Sequence, residues 1–268
     1  MGMRHLVIAI GCWMATLSAV AQGYPVPQVP DSITEPQARC DYATQRYWDH
    51  FDFSDTTLLR TDYGEQALVD FLWLLQHTSD DGKNHAVRLF RNHLKEHTAA
   101  YRYFVGKARN YLTNPDSPVY ALIPLEDIMG TRIGDVATDF AYQTADGQRH
   151  LLSETATDRM TLLLFYDPDC DNCRTMIARL RNDAVINKQL ANGRLSVLAV
   201  YTEEDRDRWR TTLNSMPTNW LVATSSEPPL DNLYDLTVMP ALYLLDAHKA
   251  IILKDNLTAI RQWLKDNN

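Results

Sequence analysis

The chain has 268 residues, 45% of them hydrophobic and 22% charged, the balance of a folded globular protein with one large or two modest domains. Acidic residues outnumber basic ones, 34 to 26, which argues against nucleic acid as a partner. Of the four cysteines only three lie beyond residue 21, too few for a disulfide scaffold.

Residues 1–21 read as a secretory signal peptide. Arg4 and His5 precede the apolar run Leu6 to Ile10, and Ala19-Val20-Ala21 supplies a small-x-small cleavage pattern before Gln22. The mature chain is thus expected in the periplasm or elsewhere in the cell envelope. Ile10-Gly11-Cys12 imitates part of a lipobox, but Ala9 is a poor start and apolar sequence continues past Cys12. A soluble protein is preferred over a lipid-anchored one. No later apolar run approaches the ~18 residues that span a bilayer, so no transmembrane helix is expected in the mature chain. Cys40, Cys170 and Cys173 remain after cleavage, which suits one redox pair plus an odd thiol.

Residues 22–34, with Pro25, Pro27 and Pro30, read as an extended lead-in. From 35 to 129 the apolar spacing is helical. Ala38, Tyr42, Tyr47, Trp48 and Phe51 predict an aromatic-rich first helix closed by Asp52-Phe53-Ser54-Asp55. Ala67, Leu68, Phe71, Leu72 and Leu75 stripe a second. Ala86, Val87, Phe90 and Leu94 stripe a third, and Tyr101, Phe104, Val105, Ala108 and Leu112 a fourth. The region is expected to be a bundle of four or five helices. His93-Leu94-Lys95-Glu96-His97 matches a metalloprotease string, but no third ligand is evident and a solvated helix face is the plainer reading.

Beyond residue 130 the period changes. Asp135 to Tyr142, then Asp146-Gly147, predicts strand, tight turn and strand, and Ser153 is placed to cap a short helical turn. Thr161 to Tyr166 is a buried strand ending at Asp167-Pro168. Cys173 to Leu190 has helical spacing, Leu195 to Tyr201 is a second buried strand, and Glu203 to Leu213 a polar helix. Asp231 to Leu236 suits a short helix, Ala241 to Leu245 and Ile251 to Leu253 suit strands, and Leu257, Ile260, Trp263 and Leu264 stripe a closing helix. Strands alternating with helices predict an α/β domain over 130–268 whose sheet is covered on both faces.

The chemistry concentrates at Cys170-Asp171-Asn172-Cys173, where a buried strand hands over to a helix. Helix N-termini favour a thiolate at the first cysteine, and the second lies one turn on, close enough to form a disulfide. A zinc site would need a further Cys/His pair, and no cysteine follows Cys173. The Asp167-x-Asp169-x-Asp171 series starts like a calcium loop, but Asn172 and Ala178 stand where glycine and glutamate are required. No metal or other cofactor is expected.

Gly134-Asp135-Val136-Ala137-Thr138-Asp139-Phe140, the strand into Cys170-x-x-Cys173, and Val238-Met239-Pro240-Ala241 carry a resemblance. Residues 131–268 resemble the thioredoxin-like domains of bacterial envelope thiol-disulfide oxidoreductases and of the related alkyl-hydroperoxide-reductase/thiol-specific-antioxidant group. The region holding Tyr47-Trp48-Asp49-His50-Phe51 looks like an uncharacterised helical domain found ahead of such redox domains. The resemblance implies Cys170 as attacking thiolate, Cys173 as resolving thiol, Pro240 as a cis-proline facing the disulfide, and Met239 as the residue whose backbone pairs with substrate. It implies protein disulfides or thiols as substrates and an upstream electron donor as partner. Thioredoxin's buried carboxylate falls at Leu164, so that proton relay is missing. Copper delivery favours a longer cysteine spacing plus histidine, and His248 alone follows the motif.

Two rival readings follow. A thiol peroxidase would have a hydroxyl residue where Asp167 stands. A binding module would keep the pair as a static staple. Asp167, Asp169 and Asp171 surround Cys170 with Arg174 as the nearby offset, a negative field that opposes the helix terminus. The expected poise is reducing, that of a reductase or isomerase.

Overall fold

Capping and apolar stripes build the first part of the chain. The structure, a computed structural model, describes residues 24–225 and 230–267, so the signal-peptide and lipobox readings lie outside the described residues. Helix α1 (Pro36–Gln45) starts on Glu35, whose carboxylate accepts from the Ala38 N–H, and on Pro36 in its first turn. Helix α2 (Asp62–Leu75) starts on Thr61, and α3 (Asp80–Lys95) on Ser79 with Asp80 and Asp81 behind it. Helix α4 (Thr98–Leu112) follows. The expected stripes of α2, α3 and α4 are all buried. At Gly82 α1 comes so close that an added Cβ would meet Asp41 Cγ at 2.7 Å. Asp41 in turn accepts from the Ser79 N–H at 2.9 Å, tying α1 to the start of α3.

The first helix is shorter than expected. It stops at Gln45, and residues 46–53 are turn and irregular chain. At about 100° per residue, a helix that buried Tyr47, Trp48 and Phe51 would point Phe53 elsewhere. Leaving the helix lets all four converge, with Tyr24, on one aromatic centre. Trp48 stacks on Phe90 at 4.6 Å and meets Phe71 and Phe104 edge-on, each at 5.4 Å. His93 and His97 stack on Phe53, at 5.3 and 6.3 Å, so the His-x-x-Glu-His string serves aromatic packing.

The chain divides into two units between Pro124 and Leu125, five residues before the expected boundary at 129/130. Helix α5 (Leu125–Met129) belongs to the second unit, where Glu126 pairs with Lys254 and Asp127 with Arg132.

The second unit is a seven-stranded mixed sheet. Its strands are β1 (Ala141–Thr144), β2 (Arg149–Leu151), β3 (Met160–Tyr166), β4 (Leu195–Tyr201), β5 (Leu221–Ser225), β6 (Ala241–Leu245) and β7 (Ile251–Lys254), in spatial order β2-β1-β5-β4-β3-β6-β7. β3, β4 and β5 run parallel; β6 lies antiparallel to β3, and β1 antiparallel to β5. Helices α6 (Asp171–Arg181), α7 (Ala184–Ala191), α8 (Arg206–Thr212) and α9 (Leu257–Asp266) contribute to one buried cluster with Leu162, Leu164 and Tyr166 of β3. Phe165, on the opposite face of β3 by strand alternation, packs on Tyr234 at 4.7 Å and Phe140 at 5.8 Å.

Four local readings are corrected. Residues 135–140 are not a strand; only Val136 makes an isolated bridge, to Ala250. Ser153 lies inside the short turn 152–154 and donates to Asp139 instead of capping it. The helix after the cysteines breaks at Asn182, because the Asp183 carboxylate accepts from the Val185 and Ile186 N–H groups and starts α7. Residues 231–236 are helical only in a single turn, 230–232.

Candidate functional site

Strand β3 delivers the pair. After Tyr166 the Asp167 carboxylate accepts from the Asp169 N–H at 2.9 Å, closing a tight turn at Pro168. Cys170 is the N-cap residue of α6, with extended backbone. Its sulfur accepts from the Cys173 N–H at 3.2 Å. A helix N-terminus leaves such N–H groups without intrahelical partners, and they suit a thiolate. Cys170 is partly exposed, and Cys173 is fully buried in the cluster under α6. Both thiols are free.

The register of β6 on β3 sets Ala241 opposite Phe165, which carries residues 239–240 to the cysteine end of the sheet. The Met239–Pro240 peptide is cis, and the Cys170 S–H donates to the Met239 carbonyl at 3.8 Å. The sequence-picked residues Cys170, Cys173, Met239 and Pro240 are therefore brought together. Val238, beside them, is 77% exposed. Leu164 is fully buried where a thioredoxin carboxylate would lie. His248 sits in the turn at the far end of β6, away from the pair.

Burial pushes the Cys173 thiol up to about 12; the Cys170 sulfur and the Asp167 charge push the same way, against a backbone hydrogen bond from Asp167. Cys173 therefore stays protonated at neutral pH.

Sequence reading missed Arg208. From α8 its guanidinium forks onto Asp169, with Nε 3.2 Å from Oδ2 and Nη2 bonded to Oδ1, and this holds the Asp169 carboxyl below the usual carboxylate range. Arg174 pairs with Asp171 and donates to the Pro168 carbonyl at 2.7 Å. Two of the three carboxylates around Cys170 are thus matched by cations, not one. Asp167 makes no ion pair among the described residues. No local pattern announces Arg208, which lies 39 residues from Asp169.

Fold and site together define the class: a thioredoxin-like protein with a Cys-x-x-Cys at the junction of a central strand and a helix. Residues 133–254 match the AhpC/TSA family, and residues 12–121 match a domain of unknown function, DUF5106. The AhpC/TSA match falls on this thioredoxin-like domain, which follows the DUF5106 domain. A thioredoxin-like protein from Bacteroides caccae is 27% identical, aligning over 91% of this chain and 99% of its own at a TM-score of 0.50. The C-terminal domain of an uncharacterized protein from Bacteroides fragilis is 34% identical, over 51% of this chain and 99% of its own, at a TM-score of 0.49. A thiol:disulfide interchange protein from a Bacteroides species is 15% identical, over 50% and 89%, at 0.44. No curated protein matches the sequence.

Proposed function

We propose that this chain is an exported thiol-disulfide oxidoreductase, a reductase or isomerase of the periplasm or cell envelope whose helical unit docks a partner. The observation that carries the reading is the partly exposed Cys170 sulfur under the Cys173 N–H, with a buried second thiol one turn behind it. The Cys170 thiolate attacks a partner disulfide, whose S–S bond breaks, and one partner sulfur leaves and takes a proton. Cys173 then loses its proton and attacks Cys170, so the mixed disulfide breaks and the second partner sulfur leaves as a thiol. Two electrons and two protons pass from the pair to the partner. A donor dithiol runs the same steps in reverse to restore the pair.

The direction rests on the burial of Cys173, which disfavours thiolate at the pair with the Asp167 charge adding a smaller push, whereas strong oxidants of this chemistry stabilise their reduced form. Resolution is held back, because Cys173 must lose a proton from a thiol that burial pushes up and Leu164 offers no carboxylate to take it.

The test is Cys173→Ala expressed in the native envelope, with mixed disulfides at Cys170 identified by mass spectrometry. Trapped partners above a Cys170→Ala/Cys173→Ala background are expected. Their absence, with a parent pair that resists alkylation after mild reduction, would establish a static staple instead.

A further inference from the structure

Helix α8 buries a single residue. Trp209 is 2% exposed and belongs to the same buried cluster as Cys173, while Arg206, Asp207, Arg208 and Arg210 around it are exposed. The helix starts on Asp205, whose carboxylate accepts from the Arg208 N–H at 2.9 Å. The exposed arginines divide their partners. Arg206 reaches Gln143, Arg210 stays on α8 with Asp207, and Arg208 crosses to Asp169, the residue before Cys170. The cap and the Trp209 anchor therefore deliver one guanidinium to the cysteine loop.

Other charges near the pair are Asp167, the Asp171–Arg174 pair, and Glu203 and Asp205, which with Asp167 and Asp169 face the Tyr201 hydroxyl at the end of β4. Among them Asp169 adjoins the attacking cysteine. A lone carboxylate there opposes a thiolate; a carboxylate forked by a guanidinium presents a dipole, whose field fades faster with distance.

We propose that Arg208 is a positioning residue for thiol exchange: by forking onto Asp169 it fixes the loop before Cys170 and cancels a charge that would oppose the thiolate. This rests on the exchange chemistry proposed above. Exposed pairs of this kind contribute little to stability, so the consequence belongs to reactivity rather than to melting.

The experiment uses the full mature chain, reduced, at pH 7 and low salt. Arg208→Gln uncovers Asp169, and alkylation of Cys170 is expected to slow about two- to threefold, the loss of thiolate being partly offset by its greater nucleophilicity. The glutathione equilibrium should move by a similar factor toward a more reducing pair. Arg208→Lys keeps the charge and should retain most of the parent rate. Asp169→Asn/Arg208→Gln should return close to it, and high salt should narrow the gap between Arg208→Gln and parent. An Arg208→Gln protein that matches the parent in both rate and equilibrium overturns the proposal. So does a double variant no nearer the parent than the single one. A parent pair inert to glutathione sinks the oxidoreductase reading itself, and the alkylation ratio then still decides whether Arg208 cancels Asp169.

Discussion

The two units use the same residue classes for opposite ends. In the helical unit aromatic rings are concentrated at one point, with Trp48 in contact with Tyr24, Tyr47, Phe51, Phe53, Phe71, Phe90 and Phe104. Its polar clusters are structural: Glu65 loses solvation, yet hydrogen bonds from Lys107 and Tyr111 hold its carboxyl below the usual range. In the thioredoxin-like unit the core is spread along a sheet, and the cysteine pair with its charged neighbours gathers where β3 ends. A bundle can centre its stability on one side chain, whereas a sheet distributes it and leaves a strand end free for chemistry. The difference teaches where each unit is vulnerable.

The largest expected effect lies in the helical unit. Trp48→Ala removes the ring at the middle of the cluster and should cost about 3–5 kcal/mol there. Thermal unfolding followed by tryptophan fluorescence and circular dichroism should show an early transition, while exchange with glutathione stays at the parent level. Loss of both together would mean that the units do not fold separately. The same comparison is sharpened by the fragment 125–268, which begins where the second unit does. About 140 residues is an ordinary domain size, so a single cooperative melt is expected. A non-cooperative melt would show that the helical region completes its core.

Next in size is an alkaline effect confined to the second unit. The Cys173 thiol is raised from 9.0 to about 12 by burial first, so from about pH 9 upward the unfolded chain ionises there while the folded protein does not. Stability of the reduced protein is unaffected below that window and falls through it by about 1.4 kcal/mol per pH unit from this group. Cys173→Ala lowers stability at every pH by leaving a cavity, but the part of the alkaline slope due to Cys173 should vanish. Urea midpoints at pH 8, 9 and 10 give the comparison. Parallel curves would mean that Cys173 ionises as readily folded as unfolded.

How far the sequence spoke differs between the units for physical reasons. The stripes of α2, α3 and α4 were legible because each helix buries a single face. The end of α1 was not: residues 46–53 contain neither glycine nor proline, and only the convergence of four rings explains the exit. In the second unit β3, β4 and β6 announced themselves as buried apolar runs, and Cys170, Cys173, Met239 and Pro240 were found from local pattern and resemblance. Strand β5 was missed because Leu221 to Ser225 is short and only partly apolar, though Val222 and Thr224 carry the β-branched signal. The α6/α7 break was written in Asp183, a helix-starting residue followed by Ala-Val-Ile. Arg208 could not be found this way, since its partnership exists only once β3 and α8 are folded side by side.

The smallest effect concerns the turn between β6 and β7. Lys249 has φ of 66°, a left-handed conformation that costs a non-glycine residue about 1–2 kcal/mol. It is also 3% exposed, and among the described residues its Nζ reaches only the Ala247 carbonyl, at 3.4 Å. Burial holds its pKa below the ordinary lysine value, against the pull of Asp246 and Asp139. Lys249→Gly removes both the backbone cost and the covered ammonium. Against that stand about 0.4–1 kcal/mol of extra freedom in the unfolded chain and the lost packing of the lysine stem. The net expectation is a gain of under about 1 kcal/mol, or roughly 2 °C in the melting of the second unit. Lys249→Asn tolerates the left-handed backbone without glycine's added freedom, so it should gain at least as much. A fall in melting temperature in both variants would show that the buried stem outweighs the strained backbone.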